Sequence, residues 1–270
     1  MMRRIRMEHV EGEQRAGATD QAAVEEPLGI RIEYWYKDAR RTESLALTMR
    51  TPGNDRELVA GFLYSEGVID SREDVREMRA LGGEESNEVL VELRAGVDVE
   101  VWRTARATIL NSSCGVCGKR NLEALNGMPR VLDEFRVEAG VIHGLPEALR
   151  ERQRGFVQTG GLHAAALAAD SGEILAVFED IGRHNALDKL IGSRVLAGEI
   201  PLAQHILFLS SRSSFELVQK AARAGVPVLA TVGSPSTLAI EAAEQSGVTL
   251  IGFVREQRFN IYSGFGRVHS

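Results

Sequence analysis

The alternation of apolar and polar residues predicts a small α+β region in the first half of the chain. Residues Ile30–Tyr36 alternate in strand fashion and Glu43–Met49 offers a second strand after a polar turn, so the two predict a β-hairpin. The segment Arg56–Tyr64 follows a polar break and predicts a helix that ends at Gly67. A further strand is predicted over Glu88–Leu93.

The second half of the chain alternates predicted strands with predicted helices. Residues Leu162–Ala168 and Glu173–Phe178 flank an Asp-Ser-Gly turn, which favours another hairpin. Two strand-turn-helix units follow, with strands at His205–Leu209 and Val226–Val232, and Val248–Val254 forms a last apolar strand. Strands that are apolar throughout and alternate with helices predict a parallel or mixed sheet that is covered on both faces.

These patterns predict an α/β protein with two domains and an N-terminal arm. The smaller α+β domain is expected over residues 27–148, and the larger α/β domain with a mixed sheet over residues 149–270. A helix that begins at Pro146 and runs to about Arg154 is expected near the boundary. Residues 1–26 are charged and poor in large apolar side chains, so they are expected to form a disordered arm.

Composition narrows the class of function. The chain has 270 residues, 44% hydrophobic residues and a formal net charge of −6, which gives no general reason to expect nucleic acid as a partner. No apolar run approaches the ~20 residues of a membrane span, and the basic N-terminus lacks the apolar segment of a secretory signal. With two cysteines and no export signal, we expect a cytoplasmic protein.

Both cysteines of the chain lie in one short stretch, residues 111–119, here called the cysteine loop. Cys114 and Cys117 are three positions apart, with glycines, serines and basic residues around them. Backbone amides, hydroxyls and positive charge stabilise a thiolate, which is the reactive form of cysteine. The loop therefore indicates a reactive sulfur rather than a packed core position.

Four interpretations of the cysteine pair stay open at this point. A structural zinc site needs four ligands, and no further cysteine exists, so no metal is expected. A thioredoxin-like pair normally opens a helix after a strand, whereas Gly127-Met128-Pro129 interrupts any helix here. A persulfide carrier fits the ladder of reversible cysteine states. Two inert reduced cysteines are the remaining interpretation, although the polar flanks of the loop count against it.

The turns after the C-terminal strands favour an anionic ligand. In an open α/β sheet, ligands lie beyond the carboxyl ends of the strands, where helix N-termini offer free amides. The turns there are built of Gly, Ser and Arg, and Arg183, Arg212, Arg255 and Arg258 offer bidentate phosphate partners. A ligand with pyrophosphate groups is therefore expected, although serines that only cap helices and solvated arginines are the alternative.

Two histidines are candidates near these turns. His163 and His184 are each more often structural than catalytic in such positions. His184 lies at a predicted strand end and is the better candidate for a ligand contact or a proton transfer. Asp188 and Lys189, one helical turn further, fit an ion-paired helix surface.

Several runs resemble the formate dehydrogenase accessory sulfurtransferase (FdhD) family. The run Glu179–Lys189 is very specific, whereas the cysteine pair alone would not be. The other matching runs are Cys114–Gly118, Thr159–Ala166, Ser210–Glu216 and Gly252–Arg255. The resemblance extends from about residue 27 to about residue 265.

The resemblance implies a sulfur carrier and names its partners. A cysteine desulfurase would load a persulfide, and the carrier would pass the sulfur to the bis-molybdopterin guanine dinucleotide cofactor before its insertion into formate dehydrogenase. The persulfide cysteine of the family matches Cys114, and Cys117 matches an assisting cysteine. The resemblance also suggests a homodimer. A non-catalytic cofactor chaperone and a thiol-disulfide oxidoreductase are the alternatives.

The expected cofactor site combines the resemblance with the turn chemistry. The cofactor-binding segment of the family matches Phe253, Val254, Arg255, Glu256, Gln257 and Arg258. The neighbouring turns are expected to add Gly182, Arg183, His184, Ser211, Arg212 and Ser213. Because the guanine dinucleotides carry two pyrophosphate groups, they would explain several anion-type turns, and GDP-like nucleotides are expected to occupy the same site.

The second domain of the family is similar to the cytidine deaminase fold, so a deaminase site needs to be considered. Zinc deaminases need a His-x-Glu motif and a Pro-Cys-x-x-Cys motif. Here His163 is followed by Ala164 and Ala165, and the turn at Ser210 contains no cysteine. Deamination is therefore not expected.

Overall fold

The computed structural model describes residues 2–83, 86–99, 128–131 and 134–270. Cys114, Cys117 and the rest of the cysteine loop lie outside the described residues. The interpretations of the cysteine pair therefore stay predictions. No helix in the described ranges is long and apolar enough to cross a membrane.

The N-terminal residues form a long, exposed β-hairpin. Strands β1 (Met2–Glu11) and β2 (Gln14–Ala23) pair antiparallel over their whole length, around a turn in which Gly12 adopts a φ of 59°. This corrects the expectation of a disordered arm over residues 1–26. The composition of the segment argued against a packed core, whereas the observed hairpin is built from local cross-strand hydrogen bonds around a glycine turn.

A four-stranded mixed sheet follows and matches the predicted α+β region. Its strands are β3 (Glu26–Tyr36), β4 (Ala39–Arg50), β5 (Val75–Ala80) and β6 (Glu88–Leu93), in the order β4-β3-β6-β5. Strands β3 and β6 pair parallel, and the other neighbours pair antiparallel. Helix α1 (Asp55–Ser65) connects β4 to the rest of this region.

A six-stranded mixed sheet forms the C-terminal part, as predicted. Its order is β13-β12-β11-β10-β8-β9, with β10, β11 and β12 parallel and the outer neighbours antiparallel. Its strands are β8 (His163–Ala168), β9 (Ile174–Asp180), β10 (Ile206–Leu209), β11 (Val228–Thr231), β12 (Thr249–Arg255) and β13 (Arg258–Ile261). Short strands β7 (Val137–Glu138) and β14 (Val268–His269) pair parallel beside it.

Helices cover both faces of the six-stranded sheet, which explains its continuous apolar strands. The helices are α2 (Ala139–Arg150), α3 (Arg154–Thr159), α4 (Arg183–Ala197), α5 (Phe215–Arg223) and α6 (Thr237–Ser246). Leu207 of β10 belongs to the core shared with α1, α4, α5 and α6, whereas its neighbour Phe208 belongs to the core shared with α2. Successive side chains of one strand therefore enter opposite cores.

Helix α2 begins earlier than the sequence suggested. The predicted helix start at Pro146 is wrong, because Pro146 lies inside α2, which begins at Ala139. The buried residues Ile142, Leu145 and Leu149 recur at helical spacing, and their burial outweighs the hydrogen bond that proline removes.

The two predicted domains share one hydrophobic core. The larger core contains Leu28 and Leu58 from the first half of the chain together with Leu187 and Leu217 from the second half. The predicted boundary after residue 148 also falls inside α2. The two-domain division and the similarity to cytidine deaminases stay predictions.

Candidate functional site

The turns that follow β10 and β11 are joined to each other and to β12 by backbone hydrogen bonds. The Ser213 amide donates to the Ser234 carbonyl over 3.2 Å, and the Gly233 amide donates to the Ser211 carbonyl over 3.0 Å. The Phe253 amide in turn donates to the Gly233 carbonyl over 3.1 Å. Residues 210–214, 233–236 and 253–258 therefore form one continuous edge, here called the sheet-edge site.

Two glycines allow this close approach of the backbones. A Cβ at Gly233 would lie 2.6 Å from Arg212 Cγ and 3.0 Å from its Cα. A Cβ at Gly252 would lie 3.0 Å from Pro235 Cδ and 3.1 Å from the Gly233 carbonyl oxygen. The glycines that the sequence places in these turns are thus required by packing as well as by turn geometry.

Phe253 adopts a strained backbone conformation while its ring stays in solvent. Its φ is 55°, in the left-handed region that side chains with a Cβ rarely adopt, and the residue is 42% exposed. The register between β12 and β13 shifts between Gly252 and Arg255, so Phe253 lies at an irregularity of the strand pairing. Exposed apolar rings at strained positions are typical of ligand-binding sites.

The side chains of the remaining predicted residues at this edge divide into supporting and exposed groups. Val254 is fully buried in the smaller core, so its side chain has a packing role. The Arg255 guanidinium donates to the Val232 and Val254 carbonyls over 2.9 and 2.7 Å. These hydrogen bonds stabilise the backbone of the irregular segment. Arg212 and Arg258 are exposed, and no carboxylate of the described chain pairs with either.

The predicted serines act mainly as supports. Ser211 and Ser213 are 6% and 2% exposed. The Ser211 hydroxyl donates to the Arg212 carbonyl over 3.0 Å, and the Ser213 hydroxyl lies 3.3 Å from the Thr231 hydroxyl. What these residues offer a ligand is therefore the shape of the turn and its backbone groups.

A histidine-carboxylate pair lies beside this edge, where α4 and α5 begin. His184 Nε2 lies 2.9 Å from Glu216 Oε2 and 3.4 Å from the Ser214 hydroxyl. A carboxylate only accepts hydrogen bonds, so His184 carries a proton on Nε2. The hydrogen bond from His184 holds the pKa of Glu216 below its ordinary value, and Glu216 stays ionised.

His163 and Arg183 lie within electrostatic range of this pair. Burial lowers the pKa of His163, and the charge of Arg183 lowers it further. Gly182 precedes α4, and a Cβ there would lie 3.1 Å from Asn185 Nδ2. Gly182, Arg183 and His184 thus form the start of α4, where the His184 ring lies 3.4 Å from the Ser214 hydroxyl of the turn at residues 210–214, and their part in binding a cofactor stays a prediction.

Most charged side chains of the run Glu179–Lys189 make structural contacts within the protein. Lys189 Nζ lies 2.8 Å from Asp180 Oδ2 and also donates to the Thr51 carbonyl over 2.8 Å. Asp180 further accepts from the amides of Thr51 and Gly182. The prediction that Asp188 and Lys189 lie on a helix surface is wrong, because both side chains are buried.

Asp188 and Glu179 support two other parts of the fold. Asp188 pairs with Lys220 of α5 and accepts from the Ser65 hydroxyl over 3.0 Å. Both oxygens of Glu179 accept backbone amides at the start of α3, each over 2.8 Å. These carboxylates therefore have structural partners, which local sequence patterns do not reveal because the partners are distant in sequence.

Glu216 is a site residue that the sequence reasoning did not single out. It closes the run Ser210–Glu216, and its position in the first turn of α5 was the available signal. Across the described ranges, no cluster of three or more His, Cys, Asp or Glu side chains is arranged to hold a metal ion. The sheet-edge site thus offers exposed arginines and one exposed aromatic ring, and a histidine-carboxylate pair lies beside it.

Comparison with known proteins gives consistent matches. Residues 23–269 match the FdhD/NarQ family. "Sulfur carrier protein FdhD" of Sulfurisphaera tokodaii is 45% identical over 267 residues, 99% of each chain. The protein of the same name from Mycobacterium tuberculosis is 44% identical over 278 residues, 97% of each chain. A solved structure, described as a formate dehydrogenase accessory protein from Desulfotalea psychrophila, covers 99% of each chain with a TM-score of 0.76 and 23% identity, which supports the fold.

Proposed function

Because this chain belongs to the FdhD/NarQ family, we propose that it carries sulfur during the maturation of formate dehydrogenase. The observation that carries the proposal is the similarity, over nearly the whole chain, to relatives named sulfur carrier proteins at 44–45% identity. A sulfur carrier needs a nucleophilic cysteine, and Cys114 and Cys117 are the chain's two candidates.

The finer mechanism that we propose runs through a persulfide. The Cys114 thiolate attacks the terminal sulfur of a persulfide on a cysteine desulfurase. The sulfur–sulfur bond of the donor breaks, the donor thiolate leaves, and Cys114 holds the sulfur as its own persulfide. Cys117 assists as the second thiol. The loaded sulfur is then delivered to the bis-molybdopterin guanine dinucleotide cofactor, which is the acceptor substrate.

The sheet-edge site suits such an acceptor. Arg212 and Arg258 are exposed and have no carboxylate partner in the described chain, so they are available to phosphate oxygens. The N-terminus of α5 follows the turn at residues 210–214, and helix N-termini favour anions. The exposed ring of Phe253 adds an apolar surface on which a planar heterocycle can stack.

Intact-protein mass spectrometry after incubation with a cysteine desulfurase and cysteine tests the proposal. The wild type should gain one reducible sulfur, ~32 Da, and Cys114→Ala should not. Cys117→Ala is the matched control, since it removes the neighbouring thiol and should still be loaded. A wild type that never gains mass while the desulfurase turns over would contradict the carrier role and favour a cofactor chaperone. A Cys114–Cys117 disulfide that cycles instead would favour a thiol-disulfide oxidoreductase.

A further inference from the structure

Glu216 places an ionised carboxylate beside a site that otherwise suits anions. Its neighbours are the exposed Arg212 guanidinium of the turn at residues 210–214 and the N-terminus of α5, both of which favour anions. A carboxylate in such a place repels phosphate, since like charges at close range weaken binding. Its presence needs a reason beyond the recognition of pyrophosphate.

The structure leaves part of this carboxylate unused. Oε2 accepts from His184, whereas Oε1 has no hydrogen-bond partner among the described residues. The Glu216 side chain is 31% exposed, so a ligand can reach it. Lys220, one turn further along α5, pairs with the buried Asp188, and although its positive charge helps to lower the pKa of Glu216, it makes no ion pair with that carboxylate.

A partly exposed carboxylate that keeps Oε1 and one lone pair of Oε2 free suits a ligand with adjacent N–H donors. Two oxygens of one carboxylate accept two parallel N–H groups in the bidentate arrangement that guanidinium groups also use. The 2-amino-4-oxo-pyrimidine edge presents a ring N–H and an amino N–H side by side. Guanine and pterins both carry this edge, and neither adenine nor the pyrimidine bases do.

We propose that Glu216 recognises the 2-amino-4-oxo-pyrimidine edge of the ligand at the sheet-edge site. This inference rests on the proposed function, because the acceptor cofactor named there contains both guanine and pterin rings. Glu216 acts as a specificity-determining residue. His184 is a positioning residue, because its hydrogen bond to Oε2 fixes the orientation of the carboxylate.

Matched pairs of ligands that differ by one amino group test the assignment. GDP and IDP share the diphosphate and the ring N–H, but IDP lacks the amino group. Pterin and lumazine form a comparable pair for the pteridine ring, in which a 2-oxo group replaces the 2-amino group. Dissociation constants are measured by calorimetry on the full-length wild type, on Glu216→Gln and on Glu244→Gln, which replaces an exposed glutamate of α6.

The wild type should prefer the amino-bearing member of at least one pair by roughly tenfold, which is the usual value of one bidentate contact. Glu216→Gln should abolish that preference, and Glu244→Gln should keep it. Loss confined to the GDP and IDP pair assigns the contact to guanine, and loss confined to pterin and lumazine assigns it to the pterin.

Several outcomes would overturn the assignment. The wild type binding both members of each pair equally would do so, as would Glu216→Gln keeping the wild-type preference.

His184→Gln and His184→Ala test the positioning role. The glutamine variant retains an N–H donor and should restore part of the preference that the alanine variant loses. Sulfur loading of Cys114, measured by mass spectrometry on the same preparations, tests the carrier role separately. A negative result for the role of Glu216 can therefore be distinguished from a negative result for the carrier role.

Discussion

Lys189 and Asp180 form an ion pair that is almost completely removed from solvent. Lys189 Nζ lies 2.8 Å from Asp180 Oδ2, and the two side chains are 2% and 0% exposed. The pair joins α4 to the end of β9, and Lys189 also donates to the carbonyl of Thr51 in the N-terminal half. One buried cation therefore stabilises the junction that positions the turn at residues 182–184.

Replacing Lys189 should destabilise the protein strongly. Lys189→Met leaves the Asp180 carboxylate buried without its cation, and such a loss costs about 3–5 kcal/mol. Urea denaturation followed by circular dichroism measures the change in the free energy of unfolding. Arg194→Gln is the control, because Arg194 pairs with Glu199, which is 55% exposed, and such surface pairs contribute about 1 kcal/mol or less. Equal effects of the two substitutions would contradict the role of Lys189.

The contact between α1 and α4 depends on two glycines. A Cβ at Gly192 would lie 1.8 Å from the Glu57 carbonyl oxygen, and a Cβ at Gly61 would lie 1.9 Å from the Asp188 carbonyl oxygen. Gly192→Ala forces the helices apart and should lower the free energy of unfolding by about 3 kcal/mol. The same urea titration measures this loss.

Gly144→Ala is the matched control for this substitution. Gly144 lies in α2 with open space around the position of its Cβ, so alanine there adds helix propensity without a clash. This variant should gain about 0.5–1 kcal/mol of stability. If Gly192→Ala were also stabilising, the close crossing of α1 and α4 would be wrong.

The sequence predicts the elements of the fold better than their contacts. Strands β8 to β12 follow from apolar runs bounded by Gly, Ser and Asp, because these local signals depend on neighbours along the chain. The hairpin over residues 2–23 was missed, since its exposed strands carry no apolar face of the usual kind. The helix start predicted at Pro146 was wrong, because the burial of three apolar residues of the same helix outweighed the local preference of proline for the first helical position.

In the candidate site, too, local sequence signals predict some residues, whereas the contacts of others depend on distant segments of the chain. The turns with Arg183 and Arg212 were predicted from their residue types, because Gly, Ser and Arg after a strand are a local signal, whereas Phe253 was predicted only from the resemblance to the family. The burial of Asp188 and the pairing of Glu216 with His184 depend on segments about 30 residues apart, so no local pattern reveals them. The cysteine loop and the predicted homodimer stay predictions.

Stability should fall as the pH decreases through the range in which histidine titrates. Burial lowers the pKa of both His163 and His205 below the ordinary value of 6.5. In the unfolded chain these rings bind protons from about pH 6.5 downward, whereas in the folded protein they stay neutral until a lower pH. The unfolded state therefore binds more protons in this window, and folding becomes less favourable as the pH falls.

Urea midpoints between pH 7.5 and 5.5 measure this dependence. The double variant His163→Gln/His205→Gln should show a flatter profile than the wild type, because both lowered pKa values are removed. Glu216, whose lowered pKa matters only below its ordinary value of 4.5, does not contribute in this window. A profile as steep as that of the wild type would contradict the assignment to these two rings.

Phe253 should be a position where stability and ligand binding oppose each other. Its φ of 55° is strained for a residue with a Cβ, whereas glycine adopts that conformation freely. Phe253→Gly should therefore raise the free energy of unfolding by about 1 kcal/mol over Phe253→Ala, which keeps the strain and also removes the ring. Phe265→Gly is the control, since Phe265 is 69% exposed and is not among the residues with positive φ in the described chain.

The same variants connect the strain to function. If the irregular segment holds the phenyl ring out as a stacking surface, Phe253→Gly and Phe253→Ala should both weaken GDP binding by roughly tenfold, in line with ~1–3 kcal/mol for base stacking on an aromatic ring. Phe265→Gly should leave GDP binding unchanged and should not stabilise the protein. A Phe253→Gly variant that is more stable and binds GDP as the wild type does would show that the strained ring has no part in the site. The expected result is that Phe253→Gly is more stable than Phe253→Ala while both bind GDP more weakly than the wild type, because strained backbone conformations cluster at sites where the side chain has a functional contact.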